Sequence, residues 1–219
     1  MTKWKTLNLY AGIGGNRKLW DDVNVVAIEW DKETASIYQE HFPDDEVIIT
    51  DAHQFLLDNH KDYDFIWSSP PCPTHSVTNT FLYAQGVVRY PDMKLYEEII
   101  LLEKFFNGLY CVENVRSYYE PLIKPYVIDR HYFWANFYIS PFRVRKNFNI
   151  ANSRVSTRKD KREYLRLLQE LHGFEIDDVK LLRNCVYPPL GKHVLDCARG
   201  ATQFKLSEFT NEGVKDVLP

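Results

Sequence analysis

The chain has little sulfur and no pattern in what it has. Its four cysteines (72, 111, 185 and 197) show no Cys-x-x-Cys spacing, which excludes the common zinc and dithiol motifs. Reduced thiols are therefore expected. No apolar run approaches membrane-spanning length. Internal repeats and low-complexity segments are lacking. Met1-Thr-Lys-Trp-Lys5 runs almost directly into a first strand, so a signal peptide is not expected. These absences point to a cytosolic or nucleoplasmic compartment, and a cytoplasmic location is expected. An overall positive charge is lacking too, because the formal net charge is −3.

Against that background the charge is unevenly spread. From Arg143 through Arg166 nine Lys/Arg face two acids, Asp160 and Glu163. The stretch carries +7 and the remainder −10, which together give the net −3. A basic patch on an acidic protein suits phosphate contact without general stickiness. The same charge run also fits a solvated helix face. With 45% hydrophobic and 15% aromatic residues, the 219-residue chain can bury one core, with room for a small insertion.

The pattern along the chain is alternating strand and helix. Strands are expected near 6–10, 24–29, 46–50, 63–68, 109–113 and 131–139. Helices are expected near 15–20, 32–41, 52–59, 92–107, 161–172 and 188–198. Leu95, Ile99, Leu102 and Phe106 form a helical stripe. Leu165, Leu168 and Leu171 form another, with Lys161, Arg162 and Arg166 on its wet side. The alternation predicts an α/β fold with a doubly wound, mostly parallel sheet.

In such a sheet ligands bind at the carboxyl ends of the strands. Residues 7–16 run from an apolar strand into a Gly-x-Gly-Gly turn at Gly12 and Gly14, where the missing Cβ atoms let a ligand approach the backbone. Arg17 stands where the dinucleotide pattern has its third glycine, so the turn alone is a weak signal. The next strand ends in Glu29-Trp30-Asp31. A carboxylate there suits ribose hydroxyls, and Trp30 offers a flat face for adenine. Asp51, after the third strand, is placed to accept from an adenine amino group. Together these strand-end features lead us to expect a nucleoside pocket more strongly than any one motif does.

The most telling run is Asp64-Phe-Ile-Trp-Ser-Ser-Pro-Pro-Cys72-Pro-Thr-His-Ser76. Phe65, Ile66 and Trp67 read as a buried strand, which Pro70 and Pro71 stop and stiffen. An isolated cysteine is usually an apolar filler. One held between Pro71 and Pro73 at a strand's carboxyl end is placed to attack something.

In order, Gly-x-Gly-Gly, Glu-Trp-Asp, Asp51, Pro-Pro-Cys72, Glu113-Asn114-Val115 and Asn184-Cys185-Val186 with Pro188-Pro189 resemble the DNA cytosine-5 methyltransferases. The likeness spans most of residues 6 to 200. It implies the S-adenosylmethionine-dependent methyltransferase fold and transfer of a methyl group to carbon 5 of cytosine in double-stranded DNA. S-adenosylmethionine would be the methyl donor, with no metal needed.

By resemblance Cys72 adds to carbon 6 of the base, and Glu113 assists at nitrogen 3 and the exocyclic amine. The thiol has to reach its thiolate form, through a lowered pKa or a nearby base. Arg130 resembles the arginine aimed at the flipped base, and Arg143 with Arg145 is the alternative match. Tyr10, Gly12, Gly14, Glu29, Trp30, Asp51, Pro71, Asn184 and Val186 would form the cofactor pocket. The polar and aromatic stretch 74–91 would be the mobile lid. Ser76, Arg89, Arg143, Arg145, Arg158, Lys159 and Arg162 would touch DNA.

The chain departs from the family in carrying Pro73 where many members have glutamine. Its target-recognition segment is also short. The expected layout is a catalytic and cofactor-binding unit at 1–145, a basic recognition segment at 146–180 and a returning segment at 181–219. A monomer is expected. A noncatalytic binding relative, an RNA methyltransferase and a form needing a partner subunit remain alternatives.

Overall fold

The computed structural model describes residues 3–143 and 158–212, the side chains of 158, 159 and 202–212 excepted. Seven strands form one sheet: β1 (Trp4–Leu9), β2 (Val23–Glu29), β3 (Glu46–Ile49), β4 (Phe65–Ser68), β5 (Leu109–Val115), β6 (Tyr126–Ile128) and β7 (His131–Ala135). The spatial order is β3-β2-β1-β4-β5-β7-β6. β1 pairs in parallel with both β2 and β4, and β7 runs antiparallel to β5. The fold is therefore the α/β, mostly parallel sheet that the alternating pattern predicts. The strand order reverses between β1 and β4, which opens a crevice at their carboxyl ends.

The central strands are apolar runs because both faces of the sheet are covered. Alternate residues of β4 divide between the two cores. Phe65 and Trp67 pack with Leu190, Val194 and Leu195 of α7 (Pro188–Glu212). Ile66 packs with Leu56 of α2 (Ala52–Asn59) and with Leu95, Ile99 and Leu102 of α4 (Lys94–Phe105). The period-2 geometry of a strand enforces this split. A third cluster joins Ile13, after β1, to Tyr164 and Leu168 of α5 (Arg158–His172), Phe174, and Leu182 of α6 (Val179–Asn184).

Several boundaries differ from the pattern-based reading. No helix forms over 15–20; the segment is a run of turns. Six residues are too few to nucleate a helix without help, and the local side chains bond elsewhere. Arg17 grips Asp45 through Nε (2.8 Å) and Nη2 (3.0 Å) and caps the Trp20 carbonyl, while Asn16 donates to Asn8. β7 stops at Ala135 rather than 139 because Asn136 takes over the ladder: its Oδ1 accepts from the Tyr110 amide and its Nδ2 donates to the Gly108 carbonyl. The three-residue β6 is too short to show a period; it exists as half of a hairpin turned by Asp129 (φ 53°) and Arg130. Two short helices also lie outside the expected pattern, α3 (Asn79–Tyr83) and α6, which Asp178 caps. α1 (Lys32–His41) is capped by Asp31, whose carboxylate accepts from the Thr34 amide at 2.8 Å.

Asp45 is buried and also accepts from the Tyr38 hydroxyl (2.8 Å). Removing it would leave the largely covered Arg17 guanidinium without its carboxylate partner. Asp45→Ala is expected to destabilise the fold by about 3–5 kcal/mol, read as a lower midpoint in urea denaturation.

Candidate active site

A cavity of about 640 Å³ opens at the carboxyl edge of the sheet. Its wall is built from the ends of β1, β2, β4 and β5, the start of α2, the β6–β7 turn and the α6–α7 junction. Size and position suit a ligand the size of a nucleoside derivative.

One half gathers the residues expected to hold a cofactor. Tyr10, Gly12, Glu29, Trp30, Asp51, Pro71, Asn184 and Val186 all line it. Tyr10 ends β1 in a left-handed backbone conformation (φ 55°), uncommon for an aromatic residue. Gly12 also has positive φ, and nothing lies within 4 Å of where its Cβ would stand, so the backbone there is open to a ligand. Glu29 Oε2 accepts from the Gly12 amide (2.9 Å), and its Oε1 accepts from the amides of Trp30 and Asp31. The carboxylate thus ties the glycine turn to the tip of β2. Trp30 is 74% exposed, with its ring free to stack. Asp51 caps α2 through Oδ1, on the Gln54 amide (2.9 Å).

Gly14 does not line the cavity. A Cβ there would run into the Tyr38 and Phe42 rings, so this glycine serves packing behind the turn rather than ligand approach. Gly15, which the sequence pattern did not single out, has a related role. Its missing Cβ lets Cys185 and Val186 close on the turn, which brings the α6–α7 junction beside β1.

The other half holds Cys72, Glu113 and Arg130. The cysteine loop is stapled from several sides. Asn114 donates to the Pro70 carbonyl (2.9 Å), and the Cys72 carbonyl accepts from the amides of His75 (3.0 Å) and Ser76 (3.1 Å). Burial pushes the Cys72 thiol up, and the charge of Glu113 adds to the effect. The shift runs opposite to the lowered pKa that the sequence allowed.

Glu113 is buried at the end of β5. The motifs did not point to His131, whose Nε2 lies 3.8 Å from Glu113 Oε1 beside the exposed Arg130. His75 also lines the cavity, bonded through Nδ1 to the Tyr119 hydroxyl (2.7 Å), and burial lowers its pKa. Spacing alone could not have separated these histidines from ordinary core or surface ones. Among the described residues no His/Cys/Asp/Glu group has the geometry to hold a metal ion, and no helix is long and apolar enough to cross a membrane.

Residues 4–117 match the family model described as C-5 cytosine-specific DNA methylase. The match covers just over half of the chain and includes the glycine turn, Glu29, Asp51, Cys72 and Glu113. The chain belongs to this family.

Methyl transfer is the reaction of the family. A search of curated proteins returned no match. Among solved structures, the chain is similar to the DNMT2 of Spodoptera frugiperda in mutant form, with 26% identity, a TM-score of 0.36, and coverage of 52% of this chain and 36% of that one. It is also similar to the Entamoeba histolytica methyltransferase EhMeth, with 14% identity, a TM-score of 0.44, and coverage of 70% and 63%. A third similar structure is a SAM-dependent methyltransferase of Agrobacterium tumefaciens, with 14% identity, a TM-score of 0.36, and coverage of 51% and 38%.

Those residues expected on DNA whose side chains are described lie outside the cavity lining. Arg89, Arg143 and Arg162 are exposed, whereas Ser76 is half-buried with its hydroxyl paired to Thr78 (2.9 Å). Arg145 and the side chains of Arg158 and Lys159 lie outside the described residues. The stretch expected to form a lid contains α3 and is tied back at several points, among them the Tyr118 hydroxyl on the Arg89 carbonyl. It exposes Phe81, Val88 and Tyr90. The α5–α6 segment packs onto the glycine turn through Ile13 and Phe174, and Lys18 lies 3.7 Å from the Phe174 ring centroid. Leu171, His172 and Arg183 of that segment reach the cavity wall, an approach that no sequence pattern signalled.

Proposed function

We propose that this family member is an active DNA cytosine-5 methyltransferase that uses S-adenosylmethionine. The observation that carries this reading is one cavity lined by Cys72 and Glu113 at its β4–β5 end and by Glu29, Trp30 and Asp51 at its β2–β3 end. The residues of the second end fit the donor: an open backbone at Gly12, a carboxylate at the tip of β2 and a free indole face. Bound there, S-adenosylmethionine supplies a methyl group activated by its sulfonium.

The chain's own residues supply the rest. A cytosine flipped from the duplex enters the Cys72 end. The Cys72 thiolate adds to carbon 6, and the displaced electron pair makes carbon 5 nucleophilic. Glu113 shares a proton with nitrogen 3 as charge builds on the ring. Once carbon 5 is methylated, its proton leaves to solvent and the Cys72–carbon 6 bond breaks, which restores thiolate and aromatic ring. Engaging Glu113 with the base also removes part of the repulsion that keeps the thiol protonated. Attack is thereby linked to correct occupancy. Arg130 lines the same cavity and is the proposed contact to the base, with Arg143 and Arg145 as the alternative pair.

The reading extends to layout and partner: catalytic and cofactor-binding functions in 1–145, a basic recognition segment in 146–180 and a return in 181–219. Neutralising Arg158, Lys159 and Arg162 together should weaken duplex binding. It should also flatten the plot of log affinity against log salt by about 0.9 for each phosphate no longer neutralised. The test of function is incubation with labelled S-adenosylmethionine and either DNA or RNA, followed by nucleoside mass spectrometry. Label in 5-methylcytosine from DNA supports the reading. Label confined to RNA, or label appearing only when a partner subunit is added, replaces it with those alternatives. No label anywhere leaves the noncatalytic binding relative.

A further inference from the structure

Glu98 lies within the apolar stripe of α4, among Leu95, Ile99 and Leu102, and is 0% exposed. An acid in such a place carries a large desolvation penalty unless donors surround it. Three do. Its Oε1 accepts from the Tyr10 hydroxyl (2.6 Å) and lies 3.0 Å from His53 Nδ1, while its Oε2 accepts from the Ser68 hydroxyl (2.6 Å). Those partners come from the end of β1, from α2 and from the end of β4, the elements that border the cofactor half of the cavity.

A leucine at 98 would fill the same stripe with no desolvation penalty, so packing does not account for the acid. Two of its partners, Tyr10 and His53, line the cavity. Tyr10 holds its left-handed backbone there, a conformation that persists only where the surroundings fix it. His53 is clamped on its second nitrogen as well, 3.2 Å from Glu97.

We propose that Glu98 is a positioning residue that fixes Tyr10 and His53 in the wall of the cofactor pocket, and so sets affinity for the methyl donor rather than the rate of the methylation step. The inference rests on the cofactor reading above. Glu98→Gln keeps the shape but removes the charge and replaces one acceptor oxygen with a donor, so the Ser68 hydroxyl has to turn and accept, and Tyr10 and His53 lose their charge-assisted bonds. Binding of S-adenosylmethionine and of S-adenosylhomocysteine is measured by calorimetry, and turnover at saturating methyl donor is measured on a DNA substrate. Glu98→Gln is expected to weaken binding of both about 10-fold and to leave saturated turnover within about 2-fold. Tyr10→Phe, which removes one arm, should shift binding the same way by less.

Unchanged binding by Glu98→Gln, beside a wild type that binds, overturns the inference alone. So does a fall in saturated turnover without a change in binding. A wild type that binds neither compound overturns the cofactor reading and this inference with it. Should Glu98→Gln not yield folded protein, Tyr10→Phe and Ser68→Ala decide by the same two measurements.

Discussion

Cys72→Ala is expected to abolish methylation, with a loss of at least about 10⁴-fold in turnover, while leaving affinity for S-adenosylmethionine within about 2-fold. The separation follows from the geometry. Cys72 stands on the β4 loop at the Glu113 end of the cavity, and Glu29, Trp30 and Asp51 stand at the other. Removing the sulfur takes away the nucleophile and leaves the stapling of the loop, which runs through the backbone of Pro70 and Cys72. DNA carrying 5-fluorocytosine tests the covalent step directly. Fluorine at carbon 5 leaves no proton to remove, so the wild type should remain joined to the oligonucleotide through residue 72, and the variant should not.

Because the free thiol is held above its usual range, by burial first and by Glu113 second, only the deprotonated fraction can attack. Single-turnover rates should therefore rise with pH through and above neutrality. A flat profile across that range would remove the thiolate from the mechanism.

Glu113→Gln is expected to act in two opposite directions. Turnover should fall about 10²- to 10⁴-fold, the usual worth of a positioned proton donor or acceptor. In the free protein, alkylation of Cys72 at fixed pH should become faster, because the substitution deletes the charge that raises the thiol. Iodoacetamide labelling of residue 72, followed by peptide mass spectrometry, checks the second effect independently of DNA. If turnover fell and alkylation slowed as well, the damage would lie in the fold of β5 rather than in charge.

Much of the sheet was legible because its strands are apolar on both faces and its helices are amphipathic. Phe65-Ile-Trp67 and Leu95/Ile99/Leu102 carry their periods openly. The expected helix at 15–20 failed for a reason that lies 28 residues away, in the carboxylate of Asp45. The end of β7 was set by Asn136, whose side chain substitutes for backbone partners on the neighbouring strand. Gly14 was expected beside Gly12 in a ligand loop, and Gly15 carried no expectation of its own. Their neighbours are instead Tyr38, Phe42, Cys185 and Val186, which no local pattern predicts.

The same division holds at the site. Motif order alone picked out Cys72, Glu113, Glu29, Trp30 and Asp51, and each lines the cavity, since strand-end residues of a parallel sheet converge on one edge whatever the details. The linear chain also determined the charge contrast between residues 143–166 and the remainder. It could not bring His131 within reach of Glu113, bury Glu98 beneath Tyr10, or lay α5 and α6 against the glycine turn. Those outcomes depend on side chains distant in sequence meeting in a low-dielectric interior. There one extra oxygen or one missing methyl decides which contacts can form.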